Sequence, residues 1–134
     1  HGPGQLIGYP IMHLPQPIDV VGYVRWLEEV LIGVAAEFGV IGERVEGRTG
    51  VWVNTEDGFQ KLASIGIRVS EKVTMHGFAL NCNNSLEPFE HIIACGIDDA
   101  KATTLSKLAG IDISPAQAAT LVEQQMGEIP NVRS

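Results

Sequence analysis

Lysine and arginine are scarce in this chain: nine among 134 residues, against sixteen aspartates and glutamates, for a net charge of −7. A surface that holds nucleic acid needs clustered cations to offset phosphates, so this balance argues against a nucleic-acid partner. Cysteine is scarcer still. Cys82 and Cys95 alone do not make a disulfide framework, which makes a reducing cytoplasm the default setting. No apolar run approaches the roughly 20 uninterrupted residues that cross a bilayer, and no secretory leader is recognisable, so no membrane association is expected. Internal repeats, heptads and low-complexity segments are also missing. With 45% hydrophobic and 19% charged residues, what remains is one globular domain over residues 1–134 with enough apolar content for a core.

The cations that exist are unevenly placed. Five of them (Arg44, Arg48, Lys61, Arg68, Lys72) share the stretch from Arg44 to Lys72 with four acids, a local +1 that leaves −8 for the remainder. Such a region would steer an acidic partner toward it, although a solvated hairpin face gives the same count.

The chain is organised around the stretch from Lys61 to Ile97. From Lys61 to Val69 the residues alternate, with Ala63, Ile65, Ile67 and Val69 on one face and Ser64, Gly66 and Arg68 on the other, the period of a half-buried strand. By that parity Lys61 falls on the apolar face, where desolvation would favour its neutral form and make it a base; the alternative is an edge lysine that carries its amine into water. Thr74 to Asn81 reads as a second strand, folded back antiparallel through a turn at Ser70 to Val73. Gly66 and Gly77 interrupt the two strands, as glycines do at a bulge or where something approaches the backbone. A third apolar run, His91 to Ile97, places Cys95 at a strand end or turn beside Gly96, where a thiol can be exposed.

Around this centre the chain supplies scaffold. Leu6 to Ile11 suits a short strand stopped by Pro10, preceded by a Gly2-Pro3-Gly4 loop. Beginning inside that loop, without a methionine, the chain reads as a fragment or processed product. Asp19 is an N-cap for a helix that runs to Phe38 and stops at Gly39. Its buried stripe is Val20, Val24, Leu27, Leu31, Val34 and Phe38, with Arg25, Glu28, Glu29 and Glu37 facing outward. Gly42 to Gly50 is a polar turn before a short strand, Val51-Trp52-Val53, and Asn54 to Gly58 is another turn. Asp98-Asp99 would cap a short helix ending near Gly110. Ser114-Pro115-Ala116-Gln117 starts a last helix that reaches about Met126. The pattern is α+β: a mixed, mainly antiparallel sheet packed on helices.

Several chemistries fit the polar residues. His76, Cys82, His91 and Cys95 are metal-ligand types, but their gaps lack the paired spacing of a structural zinc, so no metal is expected. Neither phosphate-binding glycine motif is present. A binding domain without turnover is compatible with everything so far. Nucleophilic catalysis by Cys95 with Lys61 as its base is the remaining reading: thiolate, not thiol, accepts an acyl group, and a lysine can take the proton or balance the charge. The Gly96-Ile97 turn would offer an amide to an oxyanion.

Five motifs, in order, carry a resemblance over nearly the whole chain: His1-Gly2-Pro3-Gly4-Gln5-Leu6-Ile7-Gly8-Tyr9-Pro10, Gly47-Arg48-Thr49-Gly50-Val51-Trp52-Val53, Lys61-Leu62-Ala63-Ser64-Ile65-Gly66-Ile67-Arg68, His76-Gly77-Phe78-Ala79-Leu80-Asn81, and Cys95-Gly96-Ile97. The sequence resembles the LipB-type octanoyl-ACP:protein octanoyltransferases of lipoate synthesis. The resemblance implies the biotin/lipoate protein ligase fold, an acyl-thioester on Cys95 and Lys61 lowering that thiol's pKa. It implies that Ser64-Ile65-Gly66 and Gly77-Phe78-Ala79 line the substrate site and that His1 closes a further binding loop. The implied donor is octanoyl-acyl carrier protein. The implied acceptors are lipoyl domains of 2-oxo acid dehydrogenase E2 subunits and the glycine cleavage H protein, with no cofactor and no ATP. An eight-carbon chain against Ile65, Ile67 and Phe78 would gain roughly 0.8 kcal/mol per buried methylene. Members of the family carry an arginine- and glycine-rich segment and further strands ahead of the first motif, so the resemblance also implies an N-terminally truncated domain. Two competitors stand beside it: an ATP-dependent lipoate or biotin ligase, and an inactive fragment that only binds a carrier or lipoyl domain.

Overall fold

The computed structural model describes residues 3–9, 20–70, 73–86 and 101–127, and along 67–70 and 73–76 the backbone alone. Strand β1 (Gln5–Gly8) is followed by helix α1 (Val20–Glu37), the strands β2 (Val51–Thr55), β3 (Gly58–Ser70) and β4 (Val73–Asn81), a two-residue β5 (Lys101–Ala102), and helices α2 (Leu105–Ala109) and α3 (Pro115–Gly127). The sheet order is β1-β4-β3-β2, all antiparallel, with β5 added parallel to β3. The expected mixed, mainly antiparallel sheet on helices is therefore what the chain forms.

The central hairpin matches its alternation from Ala63 to Gly66. Ser70 pairs with Val73 and the ladder runs back to Ala63 against Leu80; Glu71 and Lys72 of the anticipated turn lie outside the described residues. Helix α1 buries Val24, Leu27, Leu31 and Val34 against the sheet, each gaining about 1.5–3 kcal/mol from leaving water. It ends as expected. Gly39 takes φ 78°, Val40 N–H donates to Ala35 O and Gly39 N–H to Ala36 O, both at 3.0 Å, which are the paired bonds of a Schellman cap.

Two expectations need correction. Glu28 does not face outward: it is 3% exposed, accepts a hydrogen bond from Gly50 N–H at 2.9 Å and sits 3.5 Å from Arg44 Nε. Arg44 also bonds Glu29. Helical spacing puts Glu28 between the apolar positions 24, 27 and 31, and its charge is tolerated there because a cation and a backbone amide meet it. The short helix before Gly110 is not capped by Asp98-Asp99, which lie outside the described residues. Its cap is Thr104, extended at φ −131°, whose hydroxyl accepts from Lys107 N–H at 3.1 Å. β5 occupies the preceding residues. The Ser114 box is present: Gln117 N–H donates to Ser114 Oγ at 3.3 Å and Ser114 N–H to Gln117 Oε1 at 2.9 Å. Among the described residues no helix is long and apolar enough to cross a membrane.

Candidate active site

The sheet has one face under α1 and α3 and one face turned away from them, and a single irregularity decides which residues share the second. Directly opposed residues in antiparallel strands point to the same side. On β3, Lys61 opposes Trp52 and Ala63 opposes Val51, so Leu62 is an extra residue at a bulge. Val51, Val53, Leu62, Ala63, Ile65, Phe78, Leu80 and Cys82 belong to the core beneath the helices. Lys61 is thereby on the opposite side from Ala63 and Ile65, and the parity that grouped the three is overturned by the bulge.

The face so defined carries Lys61, Ser64 and Gly66 from β3, Gly77 and Ala79 from β4, and Gln5 and Ile7 from β1. Ser64 and Gly66 are exposed and directly opposite Ala79 and Gly77. A Cβ on Gly66 would meet nothing within 4 Å, whereas one on Gly77 would strike the Tyr9 ring at 2.4 Å. Close approach, one of the two reasons for a glycine in a strand, thus applies at Gly77 and not at Gly66. The side chains of Ile65 and Phe78 lie on the helix side, 9% and 5% exposed. Phe78 borders a groove of about 220 Å3 between β1 and α3, together with Leu6, Ala119, Val122 and Met126. His1 and Cys95 lie outside the described residues, as do His91 and the side chain of His76.

Lys61 is half-buried, its Nζ 5.0 Å from the centroid of the Trp52 ring, and Arg48 Cζ stands 5.3 Å from the same centroid. Its backbone is held by a relay of polar groups. Thr103 N–H donates to Lys61 O at 2.9 Å, Asn81 Nδ2 donates to Thr103 O at 3.1 Å, and Gln5 Nε2 donates to Asn81 Oδ1 at 2.8 Å. Gly4, at φ 89°, accepts from the N–H groups of Cys82 and Asn83, and a Cβ there would fall 2.6 Å from Asn84 Cα. The opening glycine loop is thus clasped onto the end of β4, and its glutamine is wired to the lysine's strand. Sequence reasoning missed Gln5, Asn81, Thr103 and Trp52 as parts of this arrangement. A signal existed for Asn81, an amide ending an apolar strand; Thr103 carried none.

Of the two cysteines, Cys82 can be assigned from its surroundings. It is fully buried, its Sγ 3.6 Å from Leu80 O, and burial pushes its thiol up from 9.0 to about 11. A thiol so placed is a packed group and not a nucleophile at neutral pH. Because its folded pKa lies above the unfolded one, the native state keeps a proton that the unfolded chain loses between about pH 9 and 11. The stability this confers is complete below pH 9 and is lost as pH rises through 11, on the order of 2–3 kcal/mol. Tyr23, also raised by burial, adds a loss of the same sign at higher pH. Denaturant unfolding from pH 8 to 11 should show a shallower decline for Cys82→Ala than for the parent chain; parallel declines would refute the assignment.

The lipoyl protein ligase A/B catalytic domain model matches residues 1–127. The chain is 58% identical over 125 residues to an octanoyltransferase of Leifsonia xyli subsp. xyli, covering 91% of this chain and 55% of that protein. It is 60% identical over 116 residues to an octanoyltransferase of Corynebacterium efficiens, covering 84% and 46%. It spans about half the length of the curated relatives it matches. Among solved structures, a bipartite lipoate protein ligase of Thermoplasma acidophilum superposes with a TM-score of 0.69 at 14% identity, over 93% of this chain and 51% of that one. The apo biotin protein ligase of Aquifex aeolicus gives 0.64 at 19% identity, over 93% and 52%. At such identities these two speak for the fold alone, and the fold is the biotin/lipoate ligase fold.

Proposed function

The chain belongs to the lipoyl protein ligase A/B catalytic-domain family, and from that premise we propose that it is the catalytic part of an octanoyltransferase, working through Cys95 and Lys61. In the first half-reaction the Cys95 thiolate attacks the carbonyl of octanoyl-acyl carrier protein, a new thioester forms and the phosphopantetheine thiol leaves with a proton. In the second, the ε-amine of a lysine on a lipoyl domain attacks that thioester, an amide forms and the Cys95 sulfur leaves. Lys61 takes up and returns a proton in each half, from the Cys95 thiol to the phosphopantetheine sulfur in the first and from the attacking amine to the Cys95 sulfur in the second. Thioester exchange is nearly balanced and amide formation is downhill, so no ATP is consumed. Acceptors are lipoyl domains of 2-oxo acid dehydrogenase E2 subunits and the glycine cleavage H protein, met in the cytoplasm.

The observation that carries this reading is the Leu62 bulge, which sets a half-buried lysine on the helix-free face beside exposed Ser64 and Gly66. An acyl chain laid there meets backbone and small side chains over Ser64, Gly66 and Ala79, with His1 closing a further loop. The proposed contribution of Ile65 and Phe78 is their backbone, since their side chains are committed to the core. Support also comes from the thiol inventory: with Cys82 buried and its pKa raised, Cys95 is the cysteine left for chemistry.

The test is intact-protein mass after incubation with octanoyl-acyl carrier protein, without ATP, for the parent chain, Cys95→Ala and Cys82→Ala. One octanoyl adduct, removed by hydroxylamine, retained in Cys82→Ala and absent from Cys95→Ala, is expected. A requirement for ATP would favour a ligase, and saturable binding of carrier without an adduct would leave a binding module.

A further inference from the structure

We propose that Trp52 is the positioning residue of Lys61, its indole face holding the ammonium at a fixed height above the helix-free side of the sheet; this rests on the assignment of that face to octanoyl transfer.

Three observations lead there. First, Trp52 and Lys61 are direct cross-strand partners at the bulge, and Nζ lies 5.0 Å from the ring centroid, well within the distance at which a ring quadrupole attracts a cation. No ion pair involves Lys61 among the described residues, so the ring is what its charge meets. Second, Trp52 is 1% exposed, yet among the described residues its Nε1–H has no acceptor. A buried donor without a partner is unfavourable. The indole therefore does not owe its place to a hydrogen bond; what it offers the neighbouring side chains is its face. Third, the ring itself is anchored from beyond the sheet. Glu28 of α1 holds Gly50 N–H, and Gly50 begins the run into β2. On its other edge Trp52 exchanges both backbone bonds with Glu43, at 2.7 and 2.8 Å. A ring fixed on both sides of its backbone can fix a flexible four-carbon side chain; a ring on a loop could not. Arg48, 5.3 Å from the same centroid, is a second cation on this aromatic surface.

The experiment reads the amine directly, and so does not depend on turnover. The parent chain, Trp52→Phe and Trp52→Leu are treated with limiting acetic anhydride, and Lys61 acetylation is measured by peptide mass spectrometry relative to exposed Lys107. Thermal melts report which variants are folded. A benzene ring attracts a cation less than an indole, and an aliphatic side chain not at all. Lys61 should react about 2- to 5-fold faster in Trp52→Leu than in the parent, with Trp52→Phe between them. If the leucine variant does not fold, the phenylalanine variant alone must still exceed the parent. Equal Lys61 reactivity in the folded variants and the parent overturns the proposal. In octanoyl transfer, kcat should fall in the same order with KM within about 2-fold, and recovery by phenylalanine separates positioning from mere space-filling. A parent chain that forms no octanoyl adduct would sink the reaction assigned above while leaving the acetylation result to stand or fall by itself.

Discussion

Exchanging Lys61 for alanine is expected to slow octanoyl transfer by about 10^2- to 10^4-fold, the range of a positioned proton-transfer group, while leaving the melting temperature nearly unchanged. The two halves of that expectation have separate grounds. Lys61 lies on the face away from α1 and is absent from the core cluster, so its removal opens no cavity, and its strand stays held by Thr103 N–H through the backbone carbonyl, which alanine retains. In the proposed reaction a proton must leave Cys95 in one half and return to it in the other, and Lys61 is the residue assigned to carry it. Lys61→Arg should not rescue, because a guanidinium keeps its charge and cannot act as a base. Single-turnover transfer from octanoyl-acyl carrier protein decides the matter. Lys61→Ala retaining more than a tenth of the parental rate would remove Lys61 from the mechanism.

The second large effect concerns stability. Gly50→Ala should cost about 3 kcal/mol or more and lower the melting temperature on the order of 10 °C. Gly50 has φ 107°, a left-handed conformation that an L side chain resists. Its would-be Cβ also lies 2.4 Å from the carbonyl oxygen of Ala63, a backbone atom of a central strand that cannot step aside. Relief by moving the residue would pull Gly50 N–H away from the buried Glu28 carboxylate, leaving a charge poorly met. Gly47→Ala separates the contributions. Gly47 has φ 82° with nothing within 4 Å of its Cβ, so it should lose about 1–2 kcal/mol from conformation alone. Equal melting temperatures for the two variants would show that contact with Ala63 contributes nothing.

Much of the fold was legible because it depends on local, repeating features. The alternation of β3 from Ala63 to Gly66, the Gly39 stop of α1 and the Ser114-Pro115 start of α3 are each written within a few neighbouring residues, and each was met. What could not be read were decisions made between distant segments. Glu28 has a helical address identical to that of an exposed residue until Arg44 and Gly50 close over it. Thr103 and Asn81 are ordinary polar residues until β5 joins β3 beyond the end of β4. The candidate site shows the same division. Lys61 was singled out, but for a parity that the Leu62 bulge reverses, and a bulge is a property of two strands in register, not of either sequence. Cys95 and His1 were singled out from motifs and lie outside the described residues. The exclusion of Cys82 was half visible, in that it follows an apolar strand; the degree of its burial was not.

The extra residue at Leu62 has an implication for how this strand can change over evolutionary time. β3 is written in two opposite phases joined at one point, like two texts in different reading frames sharing a splice. A residue gained or lost in the turn at Glu56 and Asp57 falls outside the paired strands and can be absorbed there. A residue lost at Leu62 would merge the phases and restore an unbroken ladder, with Lys61 still opposite Trp52 and Gln60 still opposite Val53, but it would take a fully buried side chain out of the core. The more regular strand would be the one with a hole in its core, at a cost of about 2–5 kcal/mol for a buried leucine. Straightening β3 is thus a repair the protein cannot accept, and length variation should accumulate at the hairpin tips and spare this junction.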